Sequence, residues 1–330
     1  MLLTKPEQLH TTITALCRQP GKIAILTHTN PDGDGLAAAL AFKHILRHLG
    51  NSSDIILEEE PPQYLDFLQT SAQVLLYKED MVYPTVFLLD CHEKERTGKI
   101  APLLEHASSV LAIDHHQQQV LEKNWYYYIK PEFVSAGAII FQAFQRDLQR
   151  LPAPEKKYIA DCLYTTILND TDGFINSNTD TSVFQTCAQL CALGTIPAQI
   201  MEMFILNESP HKLRFTGQAL SSIELSSAGR VMFMHSTQAQ LAENDLDAST
   251  TSKVTKWVKG ATGVQVVIYA REQENDSYRL SLRSSVVDCN AICKTFGGGG
   301  HRNAAGCTIP GTLTEVRKII LTQVENQLDE

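Results

Sequence analysis

The sequence predicts an α/β protein of two units, on three observations. Short apolar, β-rich runs alternate with helical stretches through the first half, the pattern of a mostly parallel sheet flanked by helices. Beyond about residue 225 a second, smaller set of strand-like runs begins at Arg230–His235, Val264–Ala270 and Tyr278–Arg283, with helices expected between them. The 330 residues suffice for two domains with their own cores. The expected division is 1–190 for the first domain, 191–225 for a helical connector and 226–330 for the second.

Residues 6–18 place Leu9, Ile13 and Leu16 on one helical face. Lys22–Leu26 reads as a buried strand and Leu36–Leu49, rich in Ala and Leu, as a helix. Between them runs Thr27-His28-Thr29-Asn30-Pro31-Asp32-Gly33-Asp34-Gly35, a tight turn at a strand end, where open α/β sheets bind ligands. Two carboxylates so close repel, and a cation would offset that repulsion. Oxygens plus one imidazole suit a divalent ion such as Mn²⁺ or Mg²⁺. An ordinary Asp/Gly turn is the plain alternative. A calcium loop is excluded, because an EF-hand begun at Asn30 needs Glu where Ala41 stands.

Asp54–Leu57 is a second strand, closed by Pro61 and Pro62, and Tyr64–Leu68 a short helix. Val86–Leu89 is a strand ending in Asp90, and Val110–Ile113 a strand ending in Asp114-His115-His116. Each has a bland reading: Asp90 stands at capping-box spacing from Glu93, and paired histidines are often surface residues. Jointly those readings weaken, because parallel strands bring their C-terminal ends to one sheet edge. Helices are expected over 135–149 and 155–168, the second leading into Asn169-Asp170-Thr171-Asp172-Gly173, where Asp170 could complete the cluster. From Thr181 to about Leu225 the chain reads as helical, with a break at Asn207–Pro210.

The second unit holds Phe296-Gly297-Gly298-Gly299-Gly300-His301-Arg302. Ordering glycine costs roughly 0.5–1 kcal/mol per residue relative to Ala in regular structure. Such a bare backbone lets a phosphate or base approach, and its N–H groups can bind an anion. No Gly-Lys-Ser/Thr follows, so it is not a Walker loop. Gly298, Gly299, Gly300, His301 and Arg302, with Arg283 and Ser284 at a predicted strand end, are candidate ligand contacts.

Lys plus Arg number 28 against 37 Asp plus Glu, a formal −9. That balance argues against gripping long duplex DNA and leaves room for a short phosphorylated ligand held by local cations and metals. The eight cysteines include no CxxC and read as reduced, mostly buried thiols. With no signal peptide and no membrane-length apolar run, the expectation is a cytoplasmic protein away from the membrane. A homodimer is compatible with the sequence and not required by it.

The joint order of His28-Thr-Asn-Pro-Asp32-Gly-Asp34, Asp90, Asp114-His115-His116, Asp170 and the glycine-rich 297–306 resembles the DHH phosphoesterase superfamily with its associated C-terminal domain. The Arg-Ser-Ser and Gly-Gly-Gly-Gly-His pairing looks most like the bacterial nanoRNase/pAp-phosphatase branch. The resemblance implies a DHH domain followed by a DHH-associated, substrate-binding domain. It also implies a metal-dependent hydrolase of nanoRNA, di- to pentanucleotides, and/or adenosine 3′,5′-bisphosphate (pAp). Two divalent ions are implied, Mn²⁺ foremost, with Mg²⁺ or Co²⁺ as alternatives. By motif position, His28 and Asp32 hold one ion, Asp34, His115 and Asp170 the other, and Asp90 bridges. Asp114 orients its neighbouring histidine, and His116 faces the scissile phosphate. Arg283, His301 and Arg302 hold the nucleotide. Departures are Ala37 and Ala38 in the first motif and the extra Asp172 in the fourth, where Asp170 is the favoured ligand. The alternatives are a cyclic or linear di-AMP phosphodiesterase, an exopolyphosphatase or inorganic pyrophosphatase, and a non-catalytic nucleotide sensor.

Overall fold

The first sheet is built from short runs whose residues are almost all apolar and buried, as in Ile23–Leu26 and Thr85–Leu89. Strands buried on both faces need helices on both sides, and the chain supplies them. The structure, a computed structural model, describes residues 1–117, 121–247 and 254–328. It divides into two compact units, Met1–Asn207 and Glu208–Glu330.

In the first unit the order is α1 (Pro6–Cys17), β1 (Ile23–Leu26), α2 (Gly33–His48), β2 (Ser53–Leu57), β3 (Val74–Leu76), β4 (Thr85–Leu89), α3 (Ala101–Glu105), β5 (Ser109–Asp114) and β6 (Tyr126–Ile129). Helices α4 (Ala136–Leu148), α5 (Ala153–Asp170), α6 (Thr181–Ala192) and α7 (Pro197–Phe204) follow. The sheet is parallel throughout, in the order β3-β2-β1-β4-β5-β6. The order reverses between β1 and β4, and the crevice at such a switch point is where doubly wound sheets bind ligands. One core packs Phe42, Phe87 and Phe144 with the inner faces of α2, α4 and α5, and another packs the opposite face of the sheet.

Helices α4 and α5 meet at a glycine. A Cβ on Gly137 would stand 2.1 Å from Thr166 Oγ1, whose hydroxyl pairs with Ser135 Oγ at 2.9 Å. Gly137→Ala should therefore destabilise the chain by about 1–3 kcal/mol through overpacking. A lower urea midpoint at unchanged m-value is the expected result, and an unmoved midpoint would mean that the α4–α5 contact yields.

The second unit contains α8 (Pro210–Ser221), β7 (Glu224–Ser226), β8 (Val231–Ser236), α9 (Gln238–Glu243), β9 (Val266–Gln273), β10 (Ser277–Ser284), α10 (Cys289–Lys294), β11 (Gly299–His301), β12 (Ala304–Pro310) and α11 (Leu313–Leu328). Its sheet runs β11-β12-β10-β9-β8-β7, antiparallel except for β8 with β9. Where the sequence suggested a helix between Val264–Ala270 and Tyr278–Arg283, β9 and β10 instead form a hairpin. Asn275 (φ 59°) and Asp276 (φ 46°) turn it in the left-handed region, which these residue types tolerate. Residues 191–225 divide between the units: α7 lies in the first and α8, capped by Ser209 Oγ on Lys212 N (3.2 Å), in the second. The eight cysteines form no disulfide, and no helix among the described residues is long and apolar enough to cross a membrane.

Candidate metal centre

Strands β1, β4 and β5 lie side by side, so the residues following each emerge at one edge. That topology brings His28, Asp90 and Asp114-His115-His116 together, and α2 and α5 add the rest. Asp32 caps α2, its Oδ1 accepting from Asp34 N (2.9 Å) and Gly35 N (3.2 Å). Asp34, fully buried, accepts from Ala136 N (2.7 Å) and Gly137 N (3.1 Å) at the start of α4. A helix N-terminus is a favourable place for a carboxylate.

The ligand-type atoms fall into three overlapping sets, one of which joins Asp90 to Asp114, His115 and His116. His28, Asp32 and Asp90 offer one set of atoms within 4.8 Å of one another, and Asp34, His115 and Asp170 another. Asp90 Oδ2 lies 3.3 Å from His28 Nε2, and Asp90 Oδ1 lies 3.4 Å from His115 Nε2. His115 Nε2 also lies 3.2 Å from Asp170 Oδ2 and 3.6 Å from Asp34 Oδ2. Asp170, the favoured ligand of the fourth motif, reaches this imidazole. Asp90 caps no helix, since the next helical turn starts at Lys94. Its backbone is left-handed (φ 56°), a conformation costing of order 1–3 kcal/mol and concentrated at functional sites.

The charges are arranged for a cation. Burial pushes Asp34 well up, with Asp90 and Asp170 adding to it, and pushes Asp170 up to about 7. Burial opposes the charge on Asp90 too, but His115 and His28 hold that carboxylate low. Burial likewise works against protonated His115, yet Asp90 and Asp170 raise it to about 9. Without a cation, protons shared among these groups balance the buried acids. Asp90 Oδ1 and Asp170 Oδ2 are buried and accept no hydrogen bond, and both face His115 Nε2, at 3.4 and 3.2 Å.

Around this set stand residues that the sequence did not single out. Asn169 Nδ2 donates to Asp32 Oδ2 (3.0 Å) and Asp170 Oδ1 (2.9 Å), and its Oδ1 accepts from Gly33 N (3.1 Å). His92, 3% exposed, contacts Asp114 Oδ2 through Nδ1, while Asp114 Oδ1 receives His116 Nδ1 (2.8 Å) and His116 N (3.1 Å). Burial would raise Asp114, but His116 and His92 hold it far below the usual carboxylate range. His28 Nδ1 meets Thr29 O (2.8 Å), which leaves Nε2 to the cluster.

In the second unit, β12 pairs Ala304 with Arg283 on one side and His301 on the other, so the three form a row across the strands. Arg283, His301 and Arg302 are exposed. Ser284 differs from expectation: it is buried, its hydroxyl donating to Gln265 O (2.9 Å) and accepting from Val286 N (3.0 Å) and Val287 N (3.1 Å). Its oxygen is committed to the turn after β10. The glycines also serve packing. A Cβ on Gly298 would stand 2.3 Å from Gly306 O, and one on Gly300 would stand 2.5 Å from Ala304 O, while Gly299 is open.

Comparison with known proteins agrees with this architecture. Residues 22–167 match the DHH family, N-terminal domain, and residues 231–329 match the DHHA1 domain. The bifunctional oligoribonuclease and PAP phosphatase NrnA of Thermus thermophilus is 27% identical, over 93% of this chain and 90% of its own. The protein of the same name from Mycoplasma genitalium is 22% identical, over 88% and 90%. A probable manganese-dependent inorganic pyrophosphatase of Enterococcus faecalis is 26% identical, over 46% of this chain and 48% of its own. Among solved structures, an exopolyphosphatase-related protein from Bacteroides fragilis superimposes with a TM-score of 0.83 and 24% identity, covering 99% of this chain and all of that one.

Proposed function

Because the chain belongs to the DHH family and is a phosphoesterase, a hydrolase, we propose that it cleaves short oligoribonucleotides and removes phosphate from pAp with the help of two divalent cations. The observation that carries the reading is Asp90, whose Oδ2 faces His28 and whose Oδ1 faces His115. The buried carboxylate oxygens Asp90 Oδ1 and Asp170 Oδ2, which accept no hydrogen bond, sit in a set of carboxylates and imidazoles that fits Mn²⁺ or a similar ion. The name of the Enterococcus relative favours Mn²⁺. His28 and Asp32 would hold one ion, Asp34, His115 and Asp170 the other, with Asp90 shared between them. Such ions supply charge neutralisation at the reacting phosphate and acidify the attacking water.

The chain's own groups do the rest. Asp114 grips His116 Nδ1 and leaves Nε2 to meet the phosphate or its leaving oxygen. Asp114, ahead of the opposing effect of burial, raises His116, which favours the protonated ring a general acid needs. On the second unit, Arg283, His301 and Arg302 with the open Gly299 would take the terminal phosphate. A net charge of −9 gives no bulk electrostatic grip on a long nucleic acid and leaves the hold on a short substrate to local cations.

The test is a release assay with Mn²⁺ on an RNA dinucleotide, pAp, cyclic di-AMP, linear pApA, pyrophosphate and polyphosphate. Faster turnover of dinucleotide and pAp is expected, and preference for pyrophosphate or polyphosphate would overturn the reading. In the same assay Arg283→Ala should lose one to two orders of magnitude in kcat/KM on a 5′-phosphorylated dinucleotide. That is the value of one charge-assisted contact, about 1.5–3 kcal/mol. Bis-p-nitrophenyl phosphate, which lacks a terminal phosphate, should suffer far less. Equal losses on both would make Arg283 a structural residue.

A further inference from the structure

A cavity of about 260 Å³ opens beside the metal centre, entirely within the first unit. Its walls include His28 and Asp32, which also belong to the first ligand set, and Asp90, grouped with those two, is 2% exposed with an unpartnered oxygen behind them. The rest of the cavity is distinctive in its chemistry. Glu58, Glu59 and Glu60, at the end of β2, line it, and among the described residues no Lys or Arg does. Tyr64 supplies an aromatic wall, its ring leaning on Phe204 of α7 at 6.0 Å between centroids. Glu58 is fixed by Lys99 N, which donates to its Oε2 at 2.9 Å, while Glu59 and Glu60 are exposed.

We propose that this cavity is a nucleoside subsite, taking the base and ribose esterified to the phosphate at the metal centre and disfavouring a further phosphate joined directly to that one. The inference rests on the phosphoesterase reading above and names the substrate class for that site. Its volume lies just under the range of about 300–1,000 Å³ that encloses a drug-sized ligand, which suits one nucleoside and not a longer chain. A flat base can stack on Tyr64, as unstacked bases do on aromatic side chains. Ionised glutamates accept hydrogen bonds and cannot donate, so they favour bases with an exocyclic amino group. The same glutamates repel a phosphate joined directly to the one at the metal centre. Pyrophosphate and polyphosphate, which would put anionic oxygens into this cavity, are disfavoured for that reason.

The experiment measures binding and turnover separately, on the full chain with Mn²⁺. Equilibrium dialysis compares adenosine 5′-monophosphate, uridine 5′-monophosphate and pyrophosphate. Wild type should bind the adenosine nucleotide tightest. Tyr64→Ala should weaken it roughly ten- to a hundredfold, the loss of one base stack, and leave pyrophosphate unchanged. Tyr64→Phe should restore the affinity. A Glu59→Lys, Glu60→Lys variant, altered only at exposed positions, should gain affinity for pyrophosphate at least tenfold. Equal weakening of all ligands by Tyr64→Ala, or no response of pyrophosphate to the lysines, overturns the subsite. If this binding pattern holds while wild type hydrolyses neither an RNA dinucleotide nor pAp, the proposed activity fails and the subsite stands. If the dinucleotide and pAp are hydrolysed at rates indifferent to both variants, the activity stands and the subsite fails.

Discussion

Replacing Asp90 with alanine should lower dinucleotide hydrolysis by at least about a thousandfold, roughly 4 kcal/mol at the transition state, and strip divalent metal from the purified chain. The two oxygens of Asp90 lie within 3.4 Å of His28 and His115, imidazoles that belong to two different ligand sets. Asn169 also touches both sets, but as an amide donor to Asp32 and Asp170, and an amide nitrogen cannot replace a bridging carboxylate. The backbone complicates the variant, because alanine is poorly suited to φ 56° and part of any loss would come from strain. Asp90→Asn separates the two effects: asparagine tolerates the left-handed region and keeps the shape while losing the charge. Both variants should be inactive, and a melting curve of the asparagine variant shows whether the fold persists. A folded Asp90→Asn chain with wild-type turnover, or wild type still active in excess chelator, would falsify the two-cation reading.

What the sequence revealed of this site follows from sheet topology. His28, Asp90 and Asp114-His115-His116 each end an apolar run, and in a parallel sheet ends of the same sense share an edge, so local pattern sufficed to gather them. Asp170 was legible because it closes a helix whose apolar face marks it as part of the same core. Partners set by packing across the chain were not legible. His92 meets Asp114 through a turn that no periodicity encodes, and Asp34 is held by α4, 102 residues away. The glutamates and Tyr64 of the cavity lie in a stretch that reads as an ordinary acidic loop and short helix. Ser284 misled for a related reason: a hydroxyl at a strand end looks ready for a ligand until the turn behind it is seen to need that oxygen. The glycine-rich stretch was recognised by composition, yet for Gly298 and Gly300 the requirement is the close passage of β12.

Adjacent histidines with rings 4.6 Å apart should behave oppositely when removed. His115 faces inward, its side chain 16% exposed and its Nε2 within 3.6 Å of three carboxylates. His116 is 45% exposed and is gripped from behind by Asp114 at 2.8 Å. His115→Ala should therefore cost metal affinity. Loss of even an outer partner of a ligand typically costs about 10–100-fold in affinity, so loss of this imidazole should cost at least that much. Its turnover should recover in part when Mn²⁺ is raised. His116→Ala should keep its metal and lose about 10²–10⁴ in kcat, the usual worth of a positioned acid or base, with no recovery at high Mn²⁺. Metal content of the dialysed proteins and kcat at saturating Mn²⁺ decide between the assignments. Equal metal loss in both variants would place His116 among the ligands, and Asp114, buried between His92 and His116, would then serve the metal's geometry instead of a proton donor.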